Sequence, residues 1–165
     1  MLQENTFGHP KGSNIMMNAL ASEKDNDREV IRKLLRGKNI LIVDDDNDYA
    51  EALDEVFSMQ GCCVTRSCDP VSAMGCALTS NFDLMIVDKN MPGIDGIEFA
   101  EKIHEVKPSS KIVMITAYPN EETRKKSLEV GVRFFLSKPF RKNDLLDVVS
   151  FLFLQNPKNG TAITA

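Results

Sequence analysis

The chain has 165 residues, of which 42% are hydrophobic and 27% charged, and its formal net charge is −4 at pH 7. This size and composition are typical of one globular domain with a full core, and the negative charge argues against a general nucleic-acid-binding surface. The apolar runs all fall well short of the roughly 18 residues that a membrane-spanning helix needs. We therefore expect a protein that neither spans a membrane nor binds nucleic acid.

The cysteines and histidines point to no metal site of the zinc type. Four cysteines and two histidines occur without the paired spacing that zinc ligands show. The stretch Ala19-Leu20-Ala21 resembles a signal-peptidase site, but the apolar segment before it is short and contains Asn18. We expect no secretion signal, reduced thiols and a cytoplasmic location.

The first 38 residues differ in character from the rest of the chain. A helix is predicted over 26–37, because apolar residues recur there at helical spacing and Gly37 is a plausible stop. This helix would either pack on its own domain or fray in solvent, or it would contact a partner or a second copy of the chain. Net charge changes from positive to negative near residue 38. The predicted organisation is a flexible extension over 1–38, a folded domain over 39–155 and a flexible tail over 156–165.

From residue 39 onward, short apolar strands alternate with amphipathic helices. The predicted strands cover 40–43, 62–67, 84–88, 111–115 and 132–137. The helix after each strand is expected to begin near Asn47, Pro70, Ile94, Pro119 and Asn143 in turn. For the helix that Pro70 opens, the expected inward residues are Val71, Met74, Ala77 and Leu78. Five strand–helix units predict an α/β fold, a flavodoxin-like, doubly wound (βα)5 domain whose parallel sheet has the order 2-1-3-4-5.

Polar residues stand where four of these strands end. In the predicted order, the carboxyl ends of strands 1, 3, 4 and 5 form one crevice. The residues delivered to it are Asp44, Asp45, Asp88, Thr116 and Lys138. Like-charged carboxylates about 4 Å apart repel by roughly 4 kcal/mol per pair at an effective dielectric near 20. A hard divalent cation such as Mg²⁺ would relieve that repulsion, and a carboxylate beside a cation, an ammonium and a hydroxyl suits an incoming phosphoryl group.

These residues, with their neighbours, carry a resemblance to a known family. Asp44-Asp45, Asp88 within VDKNMPGIDG, Thr116-Ala117 and Lys138-Pro139-Phe140 resemble the receiver domain of two-component response regulators. The resemblance extends over about 39–154. It is specific, since all of the family's functional positions occur in order, each at the end of its expected strand.

The resemblance implies a role for each position. Asp88 would be the phosphoacceptor, and Mg²⁺ would be held by Asp44, Asp45, Asp88 and the backbone carbonyl of Asn90. The residues that would bind the phosphoryl group are Thr116 and Lys138, and the Lys138–Pro139 bond would be cis. Phe135 matches the switch aromatic that responds to Thr116, although it lacks the hydroxyl of the tyrosine found in some members. Asp46 is a third acid beside the expected pair, and we interpret it as a solvated residue.

The implied function is signalling by a phosphorylated receiver, with no enzymatic activity beyond catalysis of its own phosphorylation and dephosphorylation. The donor would be a histidine kinase or a histidine phosphotransfer protein. Only about ten residues follow the last predicted helix, so we expect output by protein–protein contact or phosphorelay. The expected contact face comprises the helix from Pro119, the last strand and the last helix, and dimerisation through it is possible.

Two other classes of function remain open at this point. An aspartate-nucleophile phosphohydrolase would usually have a second acid two residues after the nucleophile, where this chain has Asn90. A phosphorylation-independent binding module would usually lack an acid, the threonine or the lysine, and all are present here. Metal-dependent acceptance of phosphate on Asp88 separates the favoured interpretation from both.

Overall fold

The computed structural model describes residues 27–155. The predicted tail over 156–165 lies outside these residues, as do 1–26, which include the first residue of the predicted amino-terminal helix. The helices are α1 (27–35), α2 (Asn47–Ser58), α3 (Pro70–Thr79), α4 (Gly96–Val106), α5 (Glu121–Glu129) and α6 (Lys142–Leu154). The strands are β1 (Asn39–Val43), β2 (Cys63–Ser67), β3 (Leu84–Asp88), β4 (Ile112–Thr116) and β5 (Phe134–Ser137).

The five strands form one parallel sheet in the order β2-β1-β3-β4-β5, which confirms the predicted flavodoxin-like topology. Every residue of β3 and of β4 is buried, since helices cover both faces of the sheet. Successive residues of β1 show the two faces: Ile40 and Ile42 pack with α2 and α6, while Leu41 and Val43 pack with α3 and α4. Within residues 27–155, no helix combines the length and the apolar character needed to cross a bilayer.

The inward face of α3 differs from the prediction. Pro70, Ala73 and Ala77 are buried and Met74 is partly buried, whereas Val71 and Leu78 are 64% and 39% exposed. The buried stripe therefore follows positions 70, 73, 74 and 77, and residues 71 and 78 lie one position past it on the solvent side. Small alanines at the contact allow α3 to lie close to the sheet, which leaves its larger apolar residues outside.

The carboxyl-terminal end of α1 is packed into the domain. Leu35 is fully buried in the core cluster that includes α2 and α6, and Ile31 packs against the same cluster. Gly37 has a φ of 74°, which favours glycine, and its N–H donates to the carbonyl of Gly61 at 2.8 Å. Helix α1 thus lies at the end of the sheet where the strands begin, opposite to their carboxyl ends. Of the two interpretations of this helix, packing on its own domain accounts for its buried side.

Truncation of Leu35 tests how much α1 contributes to the fold. Leu35→Ala removes a fully buried side chain, and we expect it to lower the free energy of unfolding by about 2–4 kcal/mol. Urea unfolding of the full chain measures this change. Val30→Ala is the matched control on the same helix, since Val30 is 49% exposed, and its effect should stay below about 0.5 kcal/mol. Equal effects of the two substitutions would contradict the packing of α1.

Candidate functional site

The register of the sheet brings the predicted site residues to one edge. In the pairing of β1 with β3, Val43 is level with Val87, so Asp44 and Asp88 follow side by side. Thr116 at the end of β4 is level with Ser137 of β5, and Lys138 comes next. The backbone N–H of Lys138 also donates to the carbonyl of Thr116 at 2.7 Å. The carboxyl ends of four strands therefore lie together at one end of the sheet, as predicted.

Three carboxylates meet there. One oxygen from each of Asp44, Asp45 and Asp88 can be chosen so that all three atoms lie within 4.8 Å of one another. Asp44 and Asp88 are almost fully buried, at 1% and 4% exposure, whereas Asp45 is exposed. The cluster thus has two carboxylates fixed in the protein and one at its solvent side.

Lys138 lies between the two buried carboxylates. Its Nζ is 2.8 Å from Oδ2 of Asp44 and 2.8 Å from Oδ1 of Asp88. Burial acts to lower the pKa of Lys138, but hydrogen bonds and charge attraction to these two carboxylates together outweigh burial and hold the pKa above its ordinary value. The lysine is therefore held as a charged ammonium at the centre of the site.

One ammonium does not offset three carboxylates. Burial raises the pKa of Asp44 above its ordinary value, although the hydrogen bond from Lys138 opposes this rise. With three carboxylates around one ammonium, the pocket has an excess of negative charge, and all of it is carried by oxygen ligands. These are the donors that hard divalent ions such as Mg²⁺ prefer, so the residues fit such an ion.

The backbone after β3 is wrapped closely around Asp88. The N–H of Asn90 donates to Oδ2 of Asp88 at 2.6 Å. Gly96 opens α4 so close to the strand end that an added Cβ would lie 2.5 Å from the backbone oxygen of Asp88. Asp95 caps this helix by accepting from the N–H groups of Ile97 and Glu98. Both the tight approach and the cap hold the loop against the carboxylate of Asp88.

Thr116 is tied to the same loop by its hydroxyl. The Oγ1 of Thr116 donates to Oδ1 of Asn90 at 3.0 Å and accepts from the N–H of Tyr118 at 3.1 Å. The residue is fully buried. The hydroxyl is thus engaged with a side chain two residues past Asp88, a contact that the sequence analysis did not predict.

Phe135 lies two residues before Ser137, the residue of β5 that is level with Thr116. It is level with Met114 in the pairing of β4 with β5 and is partly buried. On the surface it borders an open groove of about 250 Å³, together with Pro119, Asn120, Glu121 and Arg124 at the start of α5. Phe134 points to the other face, where its ring packs edge-on against Phe151 of α6 at 5.6 Å.

Two details at the site extend the sequence analysis. Asp46 is the N-cap of α2, which begins near Asn47 as expected, because its side chain accepts from the N–H groups of Asp48 and Tyr49. It is exposed, as expected, but it has this structural task. Sequence reasoning missed Tyr49, whose ring centroid is 4.0 Å from Nζ of Lys138. The sequence could have indicated Tyr49, because it lies in the first helical turn after the acidic residues.

The Lys138–Pro139 bond is cis, which confirms the expectation.

Comparison with known proteins agrees with this geometry. The family model described as the response regulator receiver domain matches residues 40–150. Sporulation initiation phosphotransferase F of Bacillus subtilis (strain 168) is 28% identical over 115 residues, a match that covers 70% of this chain and 93% of that protein. A two-component response regulator of Arabidopsis thaliana is 32% identical over 135 residues, covering 80% of this chain and 93% of the relative.

A solved structure agrees as well. The receiver domain protein (CheY-like) from Methanospirillum hungatei JF-1 superimposes with a TM-score of 0.69 at 28% identity, covering 71% of this chain and 94% of the other. The fold and the acidic pocket thus define a receiver-type α/β domain. The chain belongs to the response regulator receiver domain family.

The acidic cluster should cost the fold stability when no divalent cation is bound. Asp45→Asn removes one of three clustered charges at an exposed position, and we expect it to raise the free energy of unfolding by about 1 kcal/mol. The measurement is urea unfolding in a buffer that contains a chelator.

Asp46→Asn is the matched control for charge. It removes the same charge one residue further along, and asparagine preserves the N-cap of α2. We expect a change below about 0.5 kcal/mol. A decrease in stability for Asp45→Asn, or an equal increase for both variants, would contradict repulsion within the cluster.

Proposed function

We propose that the protein is a phosphoacceptor response regulator that receives a phosphoryl group on Asp88. The observation that supports this most directly is the bridging position of Lys138, 2.8 Å from both Asp44 and Asp88 in a cluster of three carboxylates. A nucleophilic carboxylate next to a fixed ammonium and further oxygen ligands is suited to phosphoryl transfer, in which positioning and charge stabilisation supply most of the catalysis.

Mg²⁺ would be held by the carboxylates of Asp44, Asp45 and Asp88 and by the backbone carbonyl of Asn90. When bound, it would neutralise part of the charge on the transferring phosphoryl group. The ion fits because the pocket combines excess negative charge with oxygen donors alone, two of which are already oriented by Lys138.

In the proposed reaction, a carboxylate oxygen of Asp88 attacks the phosphorus of a phosphohistidine on a histidine kinase or a phosphotransfer protein. A P–O bond forms, the P–N bond breaks, and the imidazole leaves with the electron pair of that bond. Water later attacks the acyl phosphate, which releases inorganic phosphate and restores Asp88. The chain's own catalytic role is limited to these two reactions.

Two side chains of the site would respond to the added charge, which is about −2 for a phosphoresidue. Lys138 would exchange its contact with Asp88 for a phosphoryl oxygen, and Thr116 would leave Asn90 to donate to another. Phe135, on the strand next to Thr116, would follow this movement. The resulting change would reach a surface formed by α5, β5 and α6, through which we propose contact with a downstream protein or a second copy.

The four cysteines, all within residues 27–155, are free thiols. Burial raises the pKa of Cys62 to about 11, which makes that thiol a poor nucleophile at neutral pH. Free thiols favour a reducing compartment, and we propose that the protein acts in the cytoplasm.

Phosphorylation by a small donor tests the proposal. Incubation with acetyl phosphate and Mg²⁺ should add one phosphoryl group to the intact protein, measured by mass spectrometry, since charge stabilisation at the site does not depend on the donor. Asp88→Asn and an excess of chelator should each abolish the gain.

Asp95→Asn is the matched control, because Asp95 lies in the same loop and asparagine preserves its cap on α4. It should accept the phosphoryl group as the wild type does. A gain that persists in Asp88→Asn would contradict the assignment of the acceptor. If no donor, including a phosphorylated histidine kinase, modifies the wild type, the chain is a phosphorylation-independent module.

The bond between Thr116 and Asn90 predicts a second effect. Asn90→Ala frees the threonine hydroxyl while retaining the backbone carbonyl. A hydrogen bond of this kind has a net value of about 0.5–1.5 kcal/mol. We therefore expect beryllofluoride, which mimics the phosphoryl group, to bind about three- to tenfold more tightly in the presence of Mg²⁺. Amide chemical shifts measure this affinity.

Asn81→Ala is the control for removing an asparagine side chain, since Asn81 is exposed at the opposite end of β3. Its affinity for beryllofluoride should equal that of the wild type. Weaker binding by Asn90→Ala would show that the side chain supports the occupied state instead of the resting state.

A further inference from the structure

Lys138 has a third neighbour besides its two carboxylates. Its Nζ lies 4.0 Å from the centre of the Tyr49 ring, while the same atom is 2.8 Å from an oxygen of Asp44 and of Asp88. An ammonium within about 6 Å of an aromatic centroid is attracted by the negative face of the ring. The lysine is therefore enclosed by two carboxylates and one aromatic face.

Two contacts hold Tyr49 in place. The backbone N–H of Tyr49 donates to Oδ1 of Asp46 at 3.1 Å, which fixes the residue in the first turn of α2. The ring meets Phe140 edge-on, with centroids 6.1 Å apart and planes at 90°. Phe140 follows Lys138 by two residues, so one partly buried ring contacts both the ammonium and the loop that carries it.

We propose that Tyr49 is a positioning residue for Lys138, through which it sets the rate of phosphoryl transfer to Asp88. This inference rests on the proposed function. The face of an aromatic ring has no single acceptor atom, so the ammonium keeps its attraction to the ring while it moves from a carboxylate to a phosphoryl oxygen. The ring also occupies space that water would fill, and hydration of the ammonium would weaken its effect on the developing charge.

The test compares Tyr49→Leu, which removes the aromatic face but keeps apolar bulk, with Tyr49→Phe, which keeps the ring. The rate of phosphorylation by acetyl phosphate and Mg²⁺ is followed by intact mass. Tyr49→Leu should lower this rate about three- to tenfold, and Tyr49→Phe should stay within about twofold of the wild type. In a Lys138→Ala background, Tyr49→Leu should cause no further loss, because the ring acts through the ammonium.

Phe153→Leu controls for the loss of a partly buried ring. Phe153 also lies beside ammonium groups, at 5.4 Å from Nζ of Lys38 and 5.6 Å from Nζ of Lys111, but at the opposite edge of the sheet. It should lower stability without changing the rate. The shifts of the Lys138 side-chain protons give a second readout, since the ring current should persist in Tyr49→Phe and vanish in Tyr49→Leu.

The outcomes separate this proposal from the proposed function. If the wild type gains a phosphoryl group and Tyr49→Leu reacts as fast as Phe153→Leu, the role of Tyr49 is refuted and the function of Asp88 stands. An equal loss of rate in the wild-type and Lys138→Ala backgrounds would also refute it, because the ring would then act independently of the lysine. If no donor, including a phosphorylated histidine kinase, modifies the wild type, both proposals fail.

Discussion

The contact of one ammonium with two buried carboxylates is the interaction on which the rest of the site depends. Asp44 and Asp88 are almost completely removed from water, and two such anions would repel strongly without Lys138 between them. Lys138 can reach both only because β5 ends level with β4, where its N–H bonds to the carbonyl of Thr116. The register of the sheet is therefore also the condition for the electrostatics of the pocket.

This arrangement leaves the pocket with more negative than positive charge, and the surrounding fold has to tolerate that excess. Strands β3 and β4 are buried along their whole length, and apolar clusters lie on both faces of the sheet. Such a core supplies enough stability to hold an unfavourable cluster at one edge. The excess charge is also what makes the pocket suitable for a cation, so the instability of the site and its proposed use have the same physical origin.

The fold and the position of the site could be predicted from sequence because both follow from simple patterns. Continuous apolar runs identify buried parallel strands, and Asp44, Asp88 and Lys138 directly follow or end such runs. The prediction that was wrong concerns the rotation and packing of a helix. Val71 and Leu78 were expected to face inward, but they lie one position past the buried stripe of α3. The contacts of Tyr49 with Lys138 and of Thr116 with Asn90 depend on side-chain directions in three dimensions, which spacing alone does not specify.

The hydrogen bonds of the unphosphorylated site indicate how a switch based on it would work. Lys138 is paired with Asp44 and Asp88, and Thr116 is paired with Asn90, so the two groups proposed to bind the phosphoryl group already have partners. A phosphoryl group on Asp88 would have to replace some of these contacts. The free energy available to shift the surface formed by α5, β5 and α6 is then the difference between the new contacts and the old ones. Strong resting contacts would make the unphosphorylated state well defined, but they would also reduce the shift that phosphorylation produces.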